Sequence, residues 1–115
     1  MDMEYVMGLY EGPFNSIKSG RKTVEVRLYD QKRRNLRNGD TVEFTKLPEQ
    51  NEKVRVEIQA LKRYSSFREM YEDIPAEQFD AVGREIEERV ETIHKIYSSD
   101  LEKKWGTLAI VMRLV

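Results

Sequence analysis

Apolar and polar residues alternate over 3–10, where Tyr5, Met7 and Leu9 interleave with Glu4, Val6 and Gly8. A period of two predicts a strand, and we expect it to be central in its sheet. Pro13 suits the first position of a helix and Gly20 the position just past its end, so 13–19 reads as a short helix with Phe14 and Ile17 facing inward. Gly20 then releases the chain into a second strand over 23–29. Its alternation puts Val24, Val26 and Leu28 on one face and Thr23, Glu25, Arg27 and Tyr29 on the other. A polar surface loop over 30–40 ends in Asn38-Gly39-Asp40 and leads into a strand over 41–47 built on Val42 and Phe44. A hairpin connection at 48–53 precedes a longer strand marked by Val54, Val56, Ile58 and Ala60.

Beyond this point the period changes. Ser66 with Glu69 three residues later has the form of a capping box, and Phe67, Met70, Tyr71 and Ile74 follow at helical spacing. Ile86, Val90, Ile93 and Tyr97 mark a second helix of this region, and the pair Ser99 and Glu102, closed by Gly106, marks a short third turn. Leu108, Ile110, Met112 and Leu114 predict a last strand. The order β-α-β-β-β-α-α-β has no repeated βαβ rhythm, which argues against a doubly wound sheet. The expected architecture is α+β, a small, partly closed mixed β-barrel flanked by helices. With 115 residues and no repeat or linker, residues 1–115 read as a single domain.

Composition narrows the chemistry. The chain has no cysteine, which excludes disulfides, a thiolate nucleophile and a zinc-thiolate site. No apolar run approaches the ~20 residues that span a bilayer, and no secretory leader pattern opens the chain, so the expectation is a cytoplasmic protein without membrane contact. A net charge of -1 argues against bulk DNA binding but conceals an asymmetry. Eight bases and two acids lie between Lys18 and Arg37, and nine acids and two bases between Glu69 and Glu91. His94 is the sole histidine and has no partner at metal-ligand spacing, so neither a metal nor another cofactor is implied.

The basic block contains Gly20-Arg21-Lys22-Thr23-Val24-Glu25-Val26-Arg27, of the form G-x-K-x-x-E-x-R. Glu25 and Arg27 are two apart on a strand and therefore share a face, roughly 7 Å apart along the chain. Lys22 can swing over that face. Arg27 can bind a phosphate or carbonyl bidentately, Lys22 offers a point charge, and Glu25 can orient either or accept a proton. The bland alternative is an exposed ion pair worth ~0.2 to 1 kcal/mol.

The motif, set between a short helix and a strand, resembles the signature of the ASCH family, a branch of the PUA-like fold. Asn38-Gly39-Asp40-Thr41-Val42-Glu43-Phe44 resembles the family's turn and strand, and Glu102 to Ile110 its closing turn and strand, with Trp105 in the aromatic place. The resemblance covers most of the chain. It implies a cleft at the motif suited to RNA or a nucleoside-like ligand, with Lys22, Thr23, Glu25, Arg27 and Tyr29 as binding residues and Lys32, Arg33, Arg34 and Arg37 as a nucleic-acid loop. Some members of the family are amidohydrolases that deacetylate N4-acetylcytidine with a lysine, a threonine and a glutamate. Lys22 matches the lysine; Glu25 stands where the threonine would be, and the second acid falls on Glu77 or Glu85. An enzyme, whether this amidohydrolase or a metal-free ribonuclease, would use Lys22 and Glu25 for catalysis. The leading expectation is an RNA- or nucleotide-binding domain, with its oligomeric state open.

Overall fold

The computed structural model describes residues 3–115. Five strands, β1 (Glu4–Leu9), β2 (Val24–Leu28), β3 (Thr41–Lys46), β4 (Lys53–Tyr64) and β5 (Thr107–Leu114), form one sheet in the order β1-β3-β4-β5-β2. β1 runs parallel to β3 and every other neighbouring pair is antiparallel. Four helices flank this sheet: α1 (Glu11–Lys18), α2 (Phe67–Asp73), α3 (Ile86–Ile93) and α4 (Ser99–Trp105). The result is a mixed α+β fold with the sheet curled into a half-barrel. Among the described residues no helix is long and apolar enough to cross a membrane.

Strand order corrects one expectation, because β1 is an edge strand rather than a central one. A central strand covered on both faces reads as a continuous apolar run. β5 has that character, with Thr107, Leu108, Ala109 and Ile110 all buried, whereas β1 exposes Val6. β1 and β2 are thus the two free edges of the curl, and the seam between them matters for the site.

Both faces of the sheet carry core. On one face Phe14 and Ile17 of α1 pack with Phe44, Val56, Ile58 and Ile110. On the other, Phe67, Met70 and Tyr71 of α2 pack with Val24, Leu28 and Ala109. Each fully buried side chain of this size contributes about 1.5–3 kcal/mol of transfer free energy. The register Glu25↔Ile110 and Arg27↔Leu108 places these two polar residues on the α1 face, since directly opposed residues share a side.

The helix starts refine the capping assignments. Ser66 Oγ accepts from the Glu69 N–H at 3.1 Å, and the Glu69 carboxylate reaches back to the Ser65 N–H at 3.3 Å. α4 is capped by Ser98, whose Oγ accepts from the Leu101 N–H at 3.2 Å, and not by Ser99. Glu102 is therefore free of its own helix start. It is buried, accepts from the Phe67 N–H of α2 at 2.7 Å, and lies 2.9 Å from His94 Nε2. The loop over 30–40 holds a short 3₁₀ turn, Arg33–Asn35, and is anchored by the buried side chains of Leu36 and Asp40.

Candidate functional site

The approach to the motif is set by backbone geometry. Gly20 has φ +82°, a left-handed conformation that strains any residue with a Cβ. The Lys22 N–H donates to the Ser16 carbonyl at 3.0 Å and the Thr23 N–H to the Gln78 carbonyl at 2.9 Å. An isolated bridge joins Lys22 to Phe79, so the segment after α2 is tied to the motif before β2 begins.

Glu25 is 4% exposed, so the pair is not the solvated surface interaction that spacing alone allows. Its Oε1 lies 3.0 Å from Lys22 Nζ, and its Oε2 lies 2.8 Å from Arg27 Nη2 and 3.0 Å from Arg27 Nε. Burial pushes the Glu25 pKa up, but the Lys22 and Arg27 charges and hydrogen bonds outweigh it and hold the group below its ordinary value. Burial likewise pulls Arg27 down, and Glu25 with Tyr97 more than restores it. Arg27 Nη2 also donates to the Gly8 carbonyl at 3.2 Å, so this one side chain bridges from the β2 edge to the β1 edge.

Lys22, Glu25 and Arg27 line one cavity of about 520 Å³. Its walls come from β1 and the start of α1 on one side and from α2, α3 and the connection between them on the other. Tyr10, Tyr71, Phe79 and Tyr97 supply aromatic surface. Burial pushes the Tyr71 hydroxyl up to about 12, keeping it a neutral donor. Among the described residues four cations, Lys22, Arg27, Arg84 and Arg89, line the cavity against a single carboxylate, Glu25.

The other sequence candidates lie elsewhere. Thr23 and Tyr29 do not line this cavity. Tyr29 lies instead under two guanidiniums, Arg63 at 4.2 Å and Arg34 at 4.7 Å from its ring centroid. Lys32 and Arg33 line a second cavity of about 390 Å³, to which Arg27 also contributes. Arg37 is exposed, and its N–H donates to Asp40 at 2.9 Å. Glu77 and Glu85 are both exposed and outside the cavity. Among the described residues no group of three or more His, Cys, Asp or Glu is placed to hold a metal ion.

Arg84 and Arg89 were hidden in the acidic stretch. They are its two bases, and all nine of its acids are exposed. One signal marked Arg89: it falls three residues after Ile86 and four before Ile93, on the buried stripe of α3.

The family model for the ASCH domain matches residues 7–115, nearly the whole chain. The chain belongs to the ASCH family. Its half-barrel with flanking helices fits the PUA-like fold of that family. Among solved structures, the hypothetical protein PH0355 is 35% identical, with 98% of this chain and 100% of that chain covered and a TM-score of 0.87. Protein PF0455 from Pyrococcus furiosus is 36% identical, with 98% of each chain covered and a TM-score of 0.79. The ASCH domain from Lactobacillus crispatus is 12% identical over 97% of this chain and 79% of that one, with a TM-score of 0.68, a likeness of fold alone. No curated protein matches the chain.

Proposed function

We propose that this ASCH domain binds RNA, or a nucleoside-like portion of it, in the cavity walled by Lys22, Glu25 and Arg27. The family is generally thought to bind RNA. The observation that carries the reading to this site is the buried Glu25, which holds two cations within 3.0 Å of its oxygens at the cavity wall. One carboxylate neutralises one of the two charges and fixes both in place. Arg27 commits Nε and Nη2 to Glu25 and Gly8 and also hydrogen-bonds Tyr97, while Lys22 keeps two of its three donors for a ligand. Donors fixed in advance lose little freedom on binding. Aromatic rings around them offer faces on which a base stacks, worth about 1–3 kcal/mol per base in single-strand binders. Arg27 is shared with the second cavity, where Lys32 and Arg33 supply further phosphate contacts for a strand passing the seam. The reading takes residues 1–115 as one domain acting in the cytoplasm.

Binding is favoured over amide hydrolysis on the same geometry. Among the described residues Glu25 is the sole carboxylate of the cavity, and with two cations holding its pKa low it is a poor general base. Thr23, Glu77 and Glu85 lie outside. Incubation with N4-acetylcytidine is expected to return it intact; release of cytidine would favour the enzyme.

Two variants test the site. Arg27→Lys keeps the charge but loses the planar fork, and is expected to weaken binding of a nucleoside and of a short RNA alike. Lys32→Ala is expected to leave the nucleoside unaffected and to weaken RNA alone, reducing the salt slope by about 0.7 for the lost phosphate contact. Parent-like binding of both ligands by a folded Arg27→Lys would remove the cavity as the recognition site.

A further inference from the structure

The wall of the cavity opposite the motif carries a cation that Glu25 does not serve. Arg89 of α3 is 6% exposed and lines the same cavity as Lys22 and Arg27. Its guanidinium lies 4.1 Å from the Tyr71 ring centroid and 5.0 Å from that of Phe79. Among the described residues no carboxylate forms a salt bridge with it, and its Nη2 has no hydrogen-bond partner. Burial lowers its pKa, Tyr71 opposes that shift and Arg84 adds to it. Ring faces offset part of the cost of burying such a charge, but they do not replace an anion hydrogen-bonded to it.

The two walls thus differ in what they ask of a ligand. At the motif, Lys22 and Arg27 share a carboxylate and present leftover donors, which suits the neutral carbonyls and hydroxyls of a base or sugar. Arg84, also in the lining, pairs with Glu88 at 3.1 Å, whereas the charge of Arg89 is uncompensated. We infer that Arg89 is the phosphate seat of this cavity, and that the ligand is a phosphorylated nucleotide whose base or sugar meets Lys22 and Arg27. The inference rests on the cavity being the ligand site. Its volume of about 520 Å³ falls within the span of small-molecule sites, which fits a single nucleotide, free or at the phosphorylated end of an RNA. Both sources present the same phosphate monoester.

The test is calorimetric titration of the parent, Arg89→Gln, Arg89→Lys and Arg27→Lys with uridine, uridine monophosphate, and a tetranucleotide RNA with and without a 5′-phosphate. The parent is expected to prefer uridine monophosphate over uridine by about tenfold, the worth of one charge-assisted hydrogen-bonded contact. In Arg89→Gln the preference is expected to vanish while uridine binds as in the parent, and in Arg89→Lys to persist only in part. The same preference for the phosphorylated tetranucleotide assigns the seat to an RNA end; preference confined to the monophosphate assigns it to a free nucleotide. A parent without phosphate preference, or a preference undiminished in Arg89→Gln, overturns the inference. Should Arg89→Gln not fold, an undiminished preference in Arg89→Lys does so. The two readings part cleanly. RNA binding that Arg27→Lys weakens, without phosphate preference, sinks this inference alone, whereas a parent that binds none of the four ligands sinks both.

Discussion

A carboxylate as buried as Glu25 stays ionised because Lys22 and Arg27 sit within 3.0 Å of it, and the dependence runs both ways. Removing one partner of such a buried pair leaves uncompensated charge, so Glu25→Gln is expected to cost about 3–5 kcal/mol, read as a lower urea midpoint. Its pH dependence follows from the sign of the shift. The folded pKa lies below the ordinary value of 4.5, so the stabilisation is complete above that value and is lost as pH falls through the folded pKa. Glu52, Asp80 and Glu87 are also held low, by hydrogen bonds from Lys18, Ser16 and Arg68 first of all, so the parent's acid transition sums several groups. The difference between parent and Glu25→Gln isolates one of them: it is expected to be flat above pH 5 and to shrink below about 4.5. A difference constant down to pH 2 would show that Glu25 is not the group that titrates. The common face of Glu25 and Arg27 was legible in their spacing, because alternation dictates it. That this face is the inside of the curl was not, since a polar pair on a strand reads as solvent-facing until the seam that encloses it is known.

Elements were legible wherever one face is apolar and the other polar, as in β2, β3 and α2. The failures have local causes. β1 alternates as cleanly as a central strand, but alternation reports which face is buried, not which edge is paired, and it lies at the edge with Arg27 across the seam. At α4, Ser98 and Ser99 are adjacent, and the acid at Glu102 drew the cap one residue too far. Glu102 instead ends on the Phe67 N–H, joining the start of α2 to α4. The reassignment makes a paired prediction. Ser98→Ala is expected to cost about 1 kcal/mol, as the loss of a helix cap does. Ser99→Ala is expected to stay within about 0.5 kcal/mol of the parent. Equal effects on the urea midpoint would contradict the assignment.

Across the whole molecule, the net charge of -1 conceals a division of labour that linear blocks of sequence expressed only in part. The basic block sends Lys22 and Arg27 to the main cavity and Lys32 and Arg33 to the second, while Arg34 goes with Arg63 to the Tyr29 ring. The acidic stretch turns its acids to solvent and its two bases, Arg84 and Arg89, to the cavity. Two surfaces consequently compete for a polyanion: the cavity, and the exposed face where Arg34, Arg63 and Lys104 surround Tyr29 and Trp105. Amide chemical-shift mapping with a short single-stranded RNA separates them most directly. Perturbations are expected to centre on Gly8, Lys22, Glu25, Arg27, Phe79 and Arg89, which line the cavity. Perturbations confined to Tyr29, Arg34, Arg63 and Lys104, with Lys22, Glu25, Arg27 and Arg89 unmoved, would contradict the assignment of the cavity as the binding site.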